Sequence, residues 1–215
     1  MLLEKRKSYL QIAFNRSLDD VRRMVSFLPK SERILVEAGT PFVKQYGQKG
    51  IANLKTWWRG YVVADLKCMD RGSTEVGMVK KGGASAATCL GLAPIPTIDA
   101  FIDECRKYQV DSMVDMMNVR FPFEVLQKLK KLPDIVVLHR GVDEGEKGEK
   151  EIPYYDINRI RGTYNVMISV AGGESFKEAR RTIFNDANIS VVWRAFYEEP
   201  EKTAELVQEF LKEIK

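Results

Sequence analysis

Short apolar runs alternate with amphipathic stretches along the whole chain, and the alternation recurs eight times. The runs rich in β-branched and aromatic residues fall at positions 9–14, 33–37, 61–65, 84–90, 112–116, 135–139, 165–170 and 189–193. Between and after them, hydrophobic residues return at helical spacing over 18–28, 41–57, 73–81, 97–108, 121–131, 156–161, 175–185 and 200–214. Eight strand and helix units within 215 residues predict an α/β protein, a single-domain (β/α)8 TIM barrel with a closed parallel sheet rather than an open one.

In such a barrel the chemistry sits at the carboxyl ends of the strands, so the last residue of each run becomes a candidate. Those ends carry Asn15, Glu37, Asp65 with Lys67, Asp115, His139, Ala171-Gly172-Gly173 and Trp193-Arg194. The densest is Asp65-Leu-Lys67-Cys-Met-Asp70. Side chains two apart on a strand share a face, so Asp65 and Lys67 project together, with Asp70 able to approach the same ammonium or that of a neighbouring subunit. Crowded charges of both signs suit a substrate whose charge changes during reaction; the competing explanation is a surface salt bridge. Glu37 ends an apolar strand and needs a positive partner. A divalent cation shared with Asp65 on the adjacent strand fits oxygen ligands of this kind, and a buried ion pair with Lys67 is the other possibility. His139, the only histidine, is placed either to move protons near neutral pH or simply to cap a core strand.

Composition narrows the partners. The 34 basic and 30 acidic residues leave a net charge of +4 without a basic block, which points away from nucleic acid and towards a small anionic substrate. No apolar run approaches the roughly 20 residues needed to span a bilayer and the start lacks a signal-like segment, so a cytoplasmic protein away from membranes is expected. Cys68, Cys89 and Cys105 lack metal or disulfide spacing and are expected as buried, reduced thiols. Trp57-Trp58 is expected to pack, Arg120 is a further candidate for the pocket, and residues 143–151 form a charged, solvated loop placed to double as a lid.

Together the stretches Leu10-Gln-Ile-Ala13, Val36-Glu37-Ala-Gly39-Thr-Pro41, Ala64-Asp65-Leu-Lys67-Cys-Met-Asp70, Val137-Leu-His139-Arg140-Gly-Val-Asp143-Glu144 and Ala171-Gly-Gly173 resemble the 3-hexulose-6-phosphate synthases of the orotidine-monophosphate decarboxylase suprafamily. The resemblance implies a Mg²⁺-dependent aldol addition of formaldehyde to ribulose 5-phosphate, and its reversal. It implies Glu37 and Asp65 as metal ligands, His139 as the proton carrier, and Lys67 at the developing oxyanion. Asp70 would fix Lys67 from the other subunit of a homodimer. Asn15 would meet a substrate hydroxyl, and Gly172, Gly173 and Arg194 the phosphate. Two relatives share the motif. Orotidine-monophosphate decarboxylase usually has lysine where Glu37 stands, and 3-keto-gulonate-6-phosphate decarboxylase typically has arginine at the place of Val142. The chain departs from the synthase pattern at Asn15, usually aspartate, and at Trp193, usually glycine. A related decarboxylase, or a diverged barrel that binds a sugar phosphate without turnover, is therefore the alternative.

Overall fold

Strands covered by helices on one face and by barrel interior on the other must be apolar on both, and the eight runs meet that demand. The computed structural model describes residues 1–143, 154–172, 175–198 and 200–213. Its strands are β1 (Tyr9–Phe14), β2 (Ile34–Ala38), β3 (Val62–Cys68), β4 (Ala86–Leu90), β5 (Asp111–Asp115), β6 (Ile135–His139), β7 (Met167–Ala171) and β8 (Ile189–Val192). They pair in parallel, in sequence order, and β8 closes on β1. Outside them lie α1 (Leu18–Phe27), α2 (Thr40–Trp58), α3 (Gly72–Gly82), α4 (Ile95–Tyr108), α5 (Pro122–Lys128), α6 (Tyr154–Thr163), α7 (Phe176–Phe184), a short α8 (Arg194–Glu198) and α9 (Thr203–Glu213). The expected (β/α)8 architecture is what forms.

Strand alternation divides the core in two. On β1, Leu10, Ile12 and Phe14 face the helices and join Phe42, Ile51 and Phe101 in the outer cluster. Tyr9 and Ala13 face inward with Leu35, Val63, Met113 and Ile189. Burying each such Leu, Ile or Phe side chain contributes about 1.5–3 kcal/mol, so the two layers carry the fold. Cys68, Cys89 and Cys105 are buried and unpaired, as expected. Trp58 packs in the core with the Lys30 ammonium 4.6 Å from its ring. No helix among the described residues is long and apolar enough to cross a membrane.

Several boundaries differ from the pattern. β8 ends at Val192, which leaves Trp193 on a loop, and α8 follows directly without having been signalled by periodicity. The last helical stretch begins as a 3-10 turn at Pro200–Lys202. β3 runs on to Cys68 rather than stopping at Asp65, but not as a regular strand. Its register against β4 shifts between Ala64 and Cys68, and Lys67 adopts a left-handed φ of 48°. There the Lys67 backbone N–H donates to Thr88 Oγ1 at 3.0 Å. Most of the candidate lid, from 144 onward, lies outside the described residues.

Two glycines of α3 make a matched test of the helix layer. A Cβ on Gly72 would sit 2.9 Å from Phe101 Cβ and 3.0 Å from the Phe101 backbone nitrogen, whereas one on Gly77 meets nothing within 4 Å. Gly72→Ala is expected to lose about 1–3 kcal/mol through overpacking and Gly77→Ala to gain about 0.5–1 kcal/mol through helix propensity. Denaturant unfolding of the two variants checks the pair; equal effects would mean that α3 and α4 are not in close contact at Gly72.

Candidate active site

The carboxyl ends of the strands open into a cavity of about 400 Å³ whose wall includes Asn15, Glu37, Asp65, Lys67, Asp115, His139, Gly172 and Trp193. Six of its polar side chains, Thr40, Asp65, Lys67, Thr88, Asp115 and His139, form one connected chain. Asp65 is the hub: Oδ2 accepts from Thr40 Oγ1 at 2.7 Å and from Lys67 Nζ at 2.8 Å, and Oδ1 accepts from Thr88 Oγ1 at 2.7 Å. Lys67 Nζ also reaches Asp115 Oδ2 at 3.2 Å, and that same oxygen lies 2.8 Å from His139 Nδ1. The second oxygen of Asp115 accepts from the Met117 backbone N–H at 2.9 Å.

The Asp65–Lys67 contact was expected from strand alternation, but the left-handed turn at Lys67 is what the structure uses to make it. A lysine at positive φ is uncommon and costs of order 1 kcal/mol or more, and such strain collects at functional sites. Neither blander explanation holds. Asp65 is only 8% exposed, so this is no surface salt bridge, and the ion pairs of Lys67 are with Asp65 and Asp115, not Glu37.

Electrostatics divides the carboxylates by role. Burial opposes the charge of Asp115, but His139 and Lys67 outweigh it and bring its pKa down to about 2. Asp115 is thus ionised at neutral pH and accepts the Nδ1–H of His139, leaving Nε2 as the nitrogen that can exchange protons with a substrate. Burial likewise works against the Lys67 ammonium, and Asp65 and Asp115 reverse it, holding the lysine charged well above its ordinary range. Glu37 is the opposite case. Burial, aided by Asp65, pushes it up to about 7 against the pull of Lys67, even though Gln11 Nε2 donates to its Oε2 at 2.5 Å.

A carboxylate so raised lacks positive charge. Glu37 and Asp65 on adjacent strands are oxygen donors of the kind Mg²⁺ accepts, one or two carboxylates with the remaining positions left to water and substrate. The amide oxygen of Gln11 is buried in the same wall without a hydrogen-bond partner among the described residues. No group of three metal-ligating side chains occurs among the described residues; Glu37 and Asp65 are the two carboxylates that would hold such an ion here.

Of the other sequence candidates, Asn15 and Gly172 line this wall, whereas Asp70, Arg120 and Arg194 do not. Asp70 is exposed and accepts from the Arg71 backbone N–H at 2.8 Å, away from the Lys67 of its own chain. Arg194 places its guanidinium 5.1 Å from the centre of the Trp193 ring and does not line the cavity. Gly172 does, with φ +95°, and a Cβ there would lie 2.1 Å from the Arg140 carbonyl oxygen, so only glycine fits. Gly173 lies outside the described residues. Arg120 lines a neighbouring cavity that shares His139. Asn15 is held by its backbone N–H, which donates to the Tyr197 hydroxyl at 3.1 Å. Sequence reasoning gave no role to Asp115, Gln11, Thr40 or Thr88; only Asp115, a strand-end carboxylate, left a signal.

Known proteins place this arrangement. The chain is 38% identical over 193 residues to the bifunctional enzyme Fae/Hps of Methanocella arvoryzae, covering 87% of this chain and 48% of that protein. It is 38% identical over 211 residues to the Fae/Hps of Methanothrix thermoacetophila, covering 96% and 53%. The chain thus spans about half the length of these curated relatives. A crystal structure of 3-hexulose-6-phosphate synthase superposes with a TM-score of 0.84 at 25% identity, over 96% of this chain and 100% of that one. The orotidine 5'-monophosphate decarboxylase of Methanocaldococcus jannaschii shares the fold with a TM-score of 0.71 at 15% identity, over 95% and 98%. The model of the orotidine 5'-phosphate decarboxylase / HUMPS family matches residues 8–208, which take in all eight strands and every cavity residue named above, and the chain belongs to that family.

Proposed function

We propose that this barrel is a Mg²⁺-dependent aldehyde-lyase that interconverts 3-hexulose 6-phosphate with ribulose 5-phosphate and formaldehyde. One observation carries the reading: Glu37 is buried at the end of β2, beside Asp65 and across from the Lys67–Asp115–His139 chain. The lysine usual in orotidine-monophosphate decarboxylase is missing there, and Val142 lines the cavity where the keto-gulonate decarboxylase typically carries arginine. The solved synthase and the Fae/Hps relatives support the same choice.

Glu37 and Asp65 would hold the ion, which when bound supplies Lewis-acid charge at the oxygens of the reacting carbon pair. The chain's own groups do the rest. In the synthetic direction His139 Nε2 takes the proton from the carbon next to the carbonyl of ribulose 5-phosphate, while Asp115 holds the ring and stabilises its charged form. The resulting enediolate attacks formaldehyde, forming the new carbon–carbon bond, and the alkoxide left on the one-carbon unit takes up a proton. Lys67, kept charged between two carboxylates, places a fixed ammonium near the developing oxyanion. In the cleavage direction the same groups act in reverse.

The partner subunit enters through Asp70. This exposed carboxylate follows Met69 (48% exposed) on the loop after β3, and Leu92 (46%) and Phe121 (50%) are exposed on the loops after β4 and β5 at the same end of the barrel. An apolar rim of this kind supports a homodimer in which Asp70 reaches the Lys67 cluster of the other copy. The three buried, unpaired thiols support a reducing, cytoplasmic setting.

Formaldehyde release from 3-hexulose 6-phosphate tests the assignment. Release is expected with Mg²⁺, is lost on chelation and is lost in Asp65→Ala; a folded protein with no release in Mg²⁺ would favour a sugar-phosphate-binding barrel without turnover. Lys67→Ala and His139→Ala are each expected to lower kcat by about 10²–10⁴-fold while leaving the protein folded, and near-normal turnover in both would overturn their roles. Mixing inactive Lys67→Ala with inactive Asp70→Ala decides where Asp70 acts. If it serves the partner's site, each mixed dimer regains one intact site and about a quarter of wild-type activity returns at equal mixing; if it serves its own subunit, none does.

A further inference from the structure

We propose that Arg16, on the loop after β1, is a substrate-anchoring residue that receives the phosphate end of the substrate, an inference that rests on the phosphorylated substrate argued above. The acidic residues of the cavity wall lie on β2, β3 and β5: Glu37, Asp65 and Asp115. None of the cavity-lining residues from β7, β8 and β1 is acidic. A dianionic group is repelled by the first arc, so it must settle against the second, between Gly172, Trp193 and Asn15. The side chains that line this second arc carry no cation, and the nearby Arg140 guanidinium is engaged by the Gly172 carbonyl oxygen at 2.6 Å and by Glu178 at 3.6 Å, so the rim after β1 is where further positive charge is available.

The rim supplies it through a stack that crosses the seam where β8 meets β1. The Arg16 guanidinium lies 4.3 Å from the centre of the Tyr197 ring. Tyr197 meets Trp193 edge-on with 6.3 Å between ring centres, and Arg194 lies 5.1 Å from the centre of Trp193. Two aromatic rings therefore stand between two guanidinium groups. The Tyr197 hydroxyl accepts the backbone N–H of Asn15, which fixes the residue next to Arg16 against the same ring. No ion pair to Arg16 forms among the described residues. A guanidinium 4.3 Å from a ring centre uses its π-system there and keeps N–H donors for a second partner such as phosphate, which arginine can meet through two hydrogen bonds and lysine only as a point charge. Trp193, which lines the cavity, thereby joins substrate space to the charged rim.

Two readouts test this on the intact protein. The first is thermal-shift titration with inorganic phosphate, comparing wild type, Arg16→Ala, Arg16→Lys and the exposed α1 control Arg22→Ala. Arg16→Ala is expected to weaken the apparent affinity by about tenfold, Arg16→Lys by less, and Arg22→Ala not at all. The second is turnover of 3-hexulose 6-phosphate, in which Arg16→Ala is expected to raise KM by about tenfold with kcat within about twofold of wild type. Phosphate binding that depends on Arg16 in a protein that releases no formaldehyde would uphold Arg16 and reject the lyase reading. Equal phosphate affinity in wild type and Arg16→Ala, no phosphate binding by either, or an unchanged KM would reject Arg16.

Discussion

The carboxylate of Asp65 is the point on which the site depends. It lies nearly out of solvent and accepts from Thr40, Thr88 and Lys67, so residues from β4, from β3 itself and from the start of α2 converge on two oxygens. A buried carboxylate with fewer partners would be several kcal/mol less stable in its charged form. Asp65 and Asp115 keep Lys67 charged, and His139 together with Lys67 keeps Asp115 ionised. Glu37 stands outside this hydrogen-bonded chain; burial raises its pKa, Asp65 adds to the rise, and Lys67 offsets it only in part. The barrel thus builds a neutralised half and an unneutralised one side by side, a polarity suited to a cation arriving together with its substrate.

Most of the architecture was legible because each strand is buried on both faces and so reads as a continuous apolar run, while each helix exposes one face and reads at helical period. The strand-end rule then found Glu37, Asp65, Lys67 and His139, since charge at the end of an apolar run is conspicuous. Gln11 and Thr88 escaped because uncharged polar residues inside such runs give no comparable signal, and Thr40 because it opens α2 beyond the end of one. The left-handed Lys67 escaped because lysine carries no preference for positive φ; only the neighbouring strand, through Thr88, reveals it. α8 spans five residues, too few for a periodic pattern to declare itself. Nearness in sequence also exceeded nearness in space: Asp70 and Arg194 adjoin site residues along the chain, yet neither lines the cavity.

Family membership explains the shared frame without explaining the chemistry. In this chain Glu37 stands near the end of β2 beside Asp65, so the cavity wall holds two carboxylates next to the Lys67 ammonium. The fold supplies the positions, and the residues set on them decide what the wall can do.

The end of β8 at Val192 has a consequence for how such a barrel can evolve. The last β1–β8 pair is Ile12 with Val192, and the next residue, Trp193, contributes nothing to the ladder although it lines the cavity. A change of side chain there leaves the strand ladder as it is, yet it reshapes the cavity and the packing against both core layers together. Position 193 is thus a joint at which the space for a ligand and the scaffold around it are adjusted by one residue.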